Sequence, residues 1–148
     1  MSGRRDDTAS DATVLAFDFG TRRIGVAVGN TIVRVAHALT TIDASAAAPR
    51  FAAIAALIDE WHPQRLVVGV PLHDDGSEHA ITARARGFAR QLEGRYRLPV
   101  DEVDERYTTE LAAFELAAQR AGRRGRARRD EVAAKHILQG YFDGLAKR

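Results

Sequence analysis

Apolar and polar positions along the chain fall into short runs with two different periods. Residues 13–19, TVLAFDF, are rich in large apolar side chains and read as a strand buried on both faces. Gly20 to Arg23 offers a turn and IGVAVGN a second strand, so the first pair is expected to form a hairpin. Residues 32–41, IVRVAHALTT, read as a third strand. The period then changes: Phe51, Ile54, Ile58 and Trp61 recur at helical spacing from about Ala47 to Trp61, and Pro63 enforces the stop. RLVVGVP is a short buried strand with helical flanks, which predicts parallel pairing. After the loop LHDDGSEH, a second helix carries Ile81, Ala85, Phe88 and Leu92 on one face, and Pro99-Val100 leads into a strand ending near Asp104. A third helix is expected over 108–120, with Leu111, Phe114 and Ala118 inward. Gly122 and Gly125 are expected to break it into an arginine-rich loop, and a last helix to run from Asp130 to Leu145 on a stripe of Ala134, Leu138, Tyr141 and Leu145.

The order βββαβαβαα predicts the α/β class, with one mixed five-stranded sheet and helices packed on it. A length of 148 residues suits one domain, expected over 13–148 behind a flexible polar tail at 1–12, and can bury a core without staples. There is no cysteine, which excludes disulfides and thiolate zinc sites and fits a reducing, cytoplasmic setting. The tail lacks the apolar stretch of a secretory signal, and no run approaches the roughly 20 apolar residues of a membrane span, so no membrane partner is expected. A net charge of +2 does not mark a nucleic-acid binder. Its distribution says more, because six arginines fall between Arg120 and Arg129. That density suits a polyanion, and equally a solvated basic loop.

Three acids stand out. Asp18 sits between Phe17 and Phe19 inside the strongest strand, where a charge is costly unless paired or bound to a cation. The alternative is a carboxylate capping the Gly20-Thr21 turn. Glu105 and Asp104 close the run VDEVDE, where exposed acids are common. Asp130 opens the last predicted helix, a position that an ordinary N-cap explains alone. Together, each lies at the end of an element, where side chains can converge. Clustered carboxylates suit hard cations such as Mg²⁺ or Mn²⁺, and two such ions can activate a water and stabilise the leaving oxygen of a phosphodiester.

The runs FDFGTRRIGVAV, VVGVPLHDDGSEHA, DERYTTELA and DEVAAKHILQGYF, in that order, resemble the YqgF family, also known as the RuvX-type Holliday junction resolvase-like proteins. The resemblance spans nearly all of residues 13–145. It implies an RNase H-like fold and a metal-dependent nuclease acting in 5′-end maturation of pre-16S ribosomal RNA, with resolution of four-way DNA junctions as the older assignment. It implies Asp18, Glu105 and Asp130 as catalytic acids and ligands of Mg²⁺ or Mn²⁺, with Asp104 a lesser contributor. Structured RNA is the expected partner, with branched DNA and ribosomal particles as further ones. Tyr107 stands where the family usually has Leu, and His73 and Asp74 where it often has Asn, departures that bear on substrate preference rather than on the acids.

Among supporting groups, Thr21 could donate to a phosphate, Arg22, Arg23 and Arg106 could pair with one, and His73 is the histidine to watch. Arg124 and Arg126 are the loop arginines expected to meet substrate. Gly20 and Gly25 read as hairpin glycines, whereas Gly69 to Gly76 could lay a loop beside the acids. The aromatics fall on helical stripes and offer no base-stacking platform. Two other classes compete. Asp18-Phe19-Gly20-Thr21 also resembles the first phosphate motif of actin-like ATPases, but no second such run follows. A non-catalytic RNA-binding ribosome-assembly factor would carry the same acids. Junction resolution needs two symmetric cuts and hence a dimer, and the helices show no spare apolar face, which favours a monomer or weak dimer.

Overall fold

The structure, a computed structural model, describes residues 12–72, 75–78, 80–105 and 122–146. β1 (Thr13–Asp18), β2 (Arg23–Asn30) and β3 (His37–Asp43) form the antiparallel half of one sheet. Helix α1 (Ala47–Trp61) leads to β4 (Arg65–Val70), and α2 (Ala80–Tyr96) to β5 (Val100–Asp104). A last helix, α3 here, spans Gly122–Ala146. The five strands lie in the order β3-β2-β1-β4-β5, with β1, β4 and β5 parallel, which is the mixed sheet expected. The expected helix over 108–120 lies outside the described residues.

Side-chain alternation divides the sheet into two unequal faces. Leu15, Phe17, Ile24, Val26, Val28, Leu66 and Val68 pack against Phe51 and Ile54 of α1 and Phe88 and Leu92 of α2. The opposite face presents Val14, Ala16, Ala27 and Val67 to Ala134, Ile137, Leu138 and Phe142 of α3. The first face is built of large side chains and the second mostly of small ones. A helix on the small face therefore lies close to the strands, and this proximity determines the geometry of the site. No described helix is long and apolar enough to cross a membrane.

Two expectations require correction. Residues 32–36 are not the start of the third strand. The side chain of Asn30 accepts the backbone N–H groups of Ile32 and Val33 at 3.0 and 2.8 Å, and Arg34 takes φ 61°, which turns the chain and leaves Ile32, Val33 and Val35 exposed. The segment expected as an arginine loop is helical from Gly122, so Asp130 does not open a helix but lies well inside one. Two glycines each cost a helix about 1 kcal/mol, and the intervening Arg and Ala are among the better helix formers, so the turns there close regardless.

Candidate active site

β1 carries Asp18 to the C-terminal edge of the central strand. Val14 and Ala16 face α3, so Asp18, two residues on, falls on the same side, half-buried. Its partner across β2 is Gly25. A Cβ on Gly25 would collide with the backbone carbonyl of Asp130, so α3 rests directly on the strand beside Asp18. Gly25 is thus not a turn residue, as its place in the sequence suggests. It lies within β2 and admits a helix backbone.

On the other side of β1, Phe17 pairs with Val68, which puts Gly69 next to Asp18. A Cβ on Gly69 would collide with the Ile137 side chain and lie 2.8 Å from Glu105 Oε2. The Glu105 carboxylate therefore overhangs Gly69. Two glycines flank Asp18 across the sheet, one making room for the backbone of Asp130 and the other for the carboxylate of Glu105. Asp104 is paired with Val70 at the end of β5 and alternates with Val103, which packs towards α3, so it belongs to the other face.

Asp130 is buried, at 7% exposure. Its Oδ2 accepts Arg23 Nε at 2.5 Å, and its Oδ1 lies 3.6 Å from an Nη of Arg129. A carboxylate held away from water needs such compensation, since leaving it unpaired costs several kcal/mol. Asp18 and Asp130 line one cleft of about 270 Å³ with Thr21, Arg22, Arg23 and Arg129. Thr21 and Arg22 are exposed at its mouth. His73 and Arg106 lie outside the described residues, as do the side chains of Arg124 and Arg126, whose backbone is helical.

The three carboxylates that the sequence resemblance implies as ligands come one each from β1, the end of β5 and α3. All-oxygen, anionic donors suit a hard divalent cation. Among the described residues, no three acidic or imidazole side chains are gathered around one point. Arg23 and Arg129 hold the charge of Asp130 instead.

A family model described as RuvX, Holliday junction resolvase, matches residues 12–144. The chain belongs to the RuvX family. It is 56% identical over 137 residues to a relative from Nitrosomonas europaea, covering 92% of this chain and 93% of that one. A relative from Chromobacterium violaceum is 53% identical over 131 residues, covering 87% and 96%. Both relatives carry the name "Putative pre-16S rRNA nuclease". Among solved structures, Thermus thermophilus RuvC in complex with a Holliday junction superposes with a TM-score of 0.56 at 19% identity, covering 91% of this chain and 96% of that one. The fold is RNase H-like.

In this RuvX chain the sequence signals for Arg129 and for the pairing of Arg23 were weak, because one is an arginine among many and the other depends on a contact 107 residues away. The packing role of Gly69 can be tested directly. Ala at position 69 would meet only side-chain ends, which can yield, so Gly69→Ala should destabilise the protein by about 1–3 kcal/mol in urea unfolding. Adding Ile137→Val should recover part of that loss, and a Gly69→Ala midpoint equal to wild type would refute the close approach.

Proposed function

We propose that this protein is a divalent-cation-dependent nuclease that hydrolyses a phosphodiester of structured RNA, in the 5′-end processing of pre-16S ribosomal RNA in the cytoplasm. The observation that carries this reading is the pair of glycines beside Asp18, which seat the backbone of Asp130 and the carboxylate of Glu105 around the same strand end. The description of the RuvX family and the shared name of its relatives support the nuclease class and the nucleic-acid substrate.

In this reading Asp18, Glu105 and Asp130 hold Mg²⁺ or Mn²⁺. When bound, the cation supplies Lewis acidity at the scissile phosphate and a water acidic enough to attack near neutral pH. The chain's own groups position the substrate. The Thr21 hydroxyl donates to a non-bridging phosphate oxygen, and the exposed Arg22 guanidinium neutralises a neighbouring phosphate. Arg23 keeps its Nε on Asp130 and turns its other guanidinium N–H groups to a phosphate oxygen, so that the buried carboxylate stays compensated as substrate enters.

The test is incubation of the protein with a labelled pre-ribosomal RNA fragment and Mn²⁺, beside an EDTA control and a four-way DNA junction. Cleavage of the RNA alone, abolished by EDTA, is expected. Preferential cutting of the junction would transfer the activity to DNA, and no cutting by folded protein that binds the RNA would favour an assembly factor. Mn²⁺ should also stabilise the fold, by about 2.7 kcal/mol at a concentration 100 times its Kd. That stabilisation, read as a rise in Tm, should be much smaller in Asp18→Asn and in Asp130→Asn. An equal rise in all three proteins would place the ion elsewhere.

A further inference from the structure

A larger cleft adjoins the acidic one and has a different chemistry. Its volume is about 740 Å³, and Phe19 and Thr21 form a rim common to both clefts. Its walls are Arg50 of α1 and Arg84, Arg90 and Gln91 of α2, and among the described residues no acidic side chain lines it. Gly87 lies along its wall, with Arg90 Nη2 3.9 Å from where a Cβ would stand.

The arginines differ in what already holds them. Arg86, on the same helix, is held by Glu78 and by Glu102, the latter at 3.4 Å. Arg84 and Arg90 are exposed and join no ion pair among the described residues. Arg50 donates one Nη to the carbonyl of Ala44 at 2.8 Å, while its buried Nε has no partner among the described residues. Uncompensated positive charge along an open groove attracts a polyanion, and guanidinium forks match phosphate oxygens.

We propose that this cleft binds the single-stranded flank of the nucleic acid by its phosphates, directing the strand over Thr21 into the acidic cleft. This rests on the proposed nuclease reading for the position of the scissile phosphate. A groove between two helices admits one backbone, and phosphate contacts position a strand without reading its bases. The cleft thus selects substrates in which the bond to be cut is flanked by unpaired RNA.

The test uses the full chain in EDTA, so that binding is measured without cleavage. The affinity of a fluorescent single-stranded oligoribonucleotide is followed against salt concentration. Each phosphate contact to a single strand contributes about 0.7 to the slope of log K against log salt, so Arg84→Ala/Arg90→Ala should lower the magnitude of the slope by about 1.4. Arg84→Lys/Arg90→Lys keeps the charges and should retain most of the slope. Arg34→Ala, beyond the opposite end of β2, should leave it unchanged. An RNA duplex of the same sequence should show little dependence on the pair. An unchanged slope in the Ala double variant, or equal loss on the duplex, would overturn the proposal. A lowered slope in a protein that never cleaves RNA would keep this groove as a binding site while removing the nuclease reading.

Discussion

Asp18→Asn is expected to lower the rate of RNA cleavage by more than about 100-fold while the fold survives. The bound follows from a comparison: losing a group that merely orients a metal ligand costs about 10–100-fold in metal affinity or activity, so losing a ligand costs more. Asparagine has the shape of aspartate and can still hydrogen-bond at the half-buried end of β1, so packing around Gly25 and Gly69 is preserved. Unfolding should therefore stay cooperative, with a Tm within about 4 °C of wild type, the shift produced by roughly 1 kcal/mol in a domain of this size. Cleavage assays on matched amounts of folded protein provide the check. A well-folded Asp18→Asn protein that cuts as fast as wild type would remove Asp18 from the chemistry, and with it the present assignment of the site.

Gly25→Ala is expected to have the largest effect on stability of any single methyl group added to the described chain. The added carbon would meet the carbonyl, carbonyl carbon and Cα of Asp130, all backbone atoms within a helix. No rotamer change relieves such a clash. Helix α3 must lift, which loosens Ala134, Ile137 and Leu138 against Ala16, Ala27 and Val67. Overpacking a core usually costs 1–3 kcal/mol where side chains can shift, and about 3 kcal/mol or more is expected where they cannot. That corresponds to a Tm about 10 °C lower. Cleavage should also fall at temperatures where the variant is still folded, because lifting α3 carries Asp130 away from Asp18. Gly140→Ala provides the contrast. Among the described residues nothing outside its own helix backbone lies within 4 Å of a Cβ there, so the change should be neutral or stabilise α3 by up to about 1 kcal/mol. Equal Tm values for Gly25→Ala and Gly140→Ala would contradict the contact.

Gly69→Ala should be milder: its added carbon would lie 2.4 Å from its nearest obstacle, against 1.8 Å at Gly25. Its obstacles are the side chains of Ile137 and Glu105, which can rotate. The two glycines therefore separate two failures: one lifts a whole element, the other displaces one core side chain and one carboxylate.

Much of this architecture can be read in the order of residues. The hairpin of β1 and β2, the parallel strands after it, α1 and the interior of α2 follow from local periodicity, because each element buries one stripe or one alternating set of side chains. Asp18 was visible as a charge inside an apolar strand. A further signal was present in IGVAVGN, where Gly25, Ala27 and Gly29 alternate with Ile24, Val26 and Val28. That pattern describes a strand with one large-residue face and one nearly bare face, against which a helix can lie.

Other features lay beyond local pattern. Asp130 reads as a helix cap, since an acid after a glycine-rich segment usually is one, yet it is the buried interior of a helix that began at Gly122. Ile32, Val33 and Val35 have strand character but occupy a turn fixed by the side chain of Asn30. The residues themselves thus determine which segments become strands and helices, and which acids are available for chemistry, because those properties depend on neighbours a few positions away. Only the tertiary structure decides that Arg23 compensates Asp130, that Gly25 and Gly69 seat the other two acids beside Asp18, and that three arginines of α1 and α2 face a common cleft. Each of these depends on contacts between residues far apart in the chain, and sheet order and face assignment bring them together.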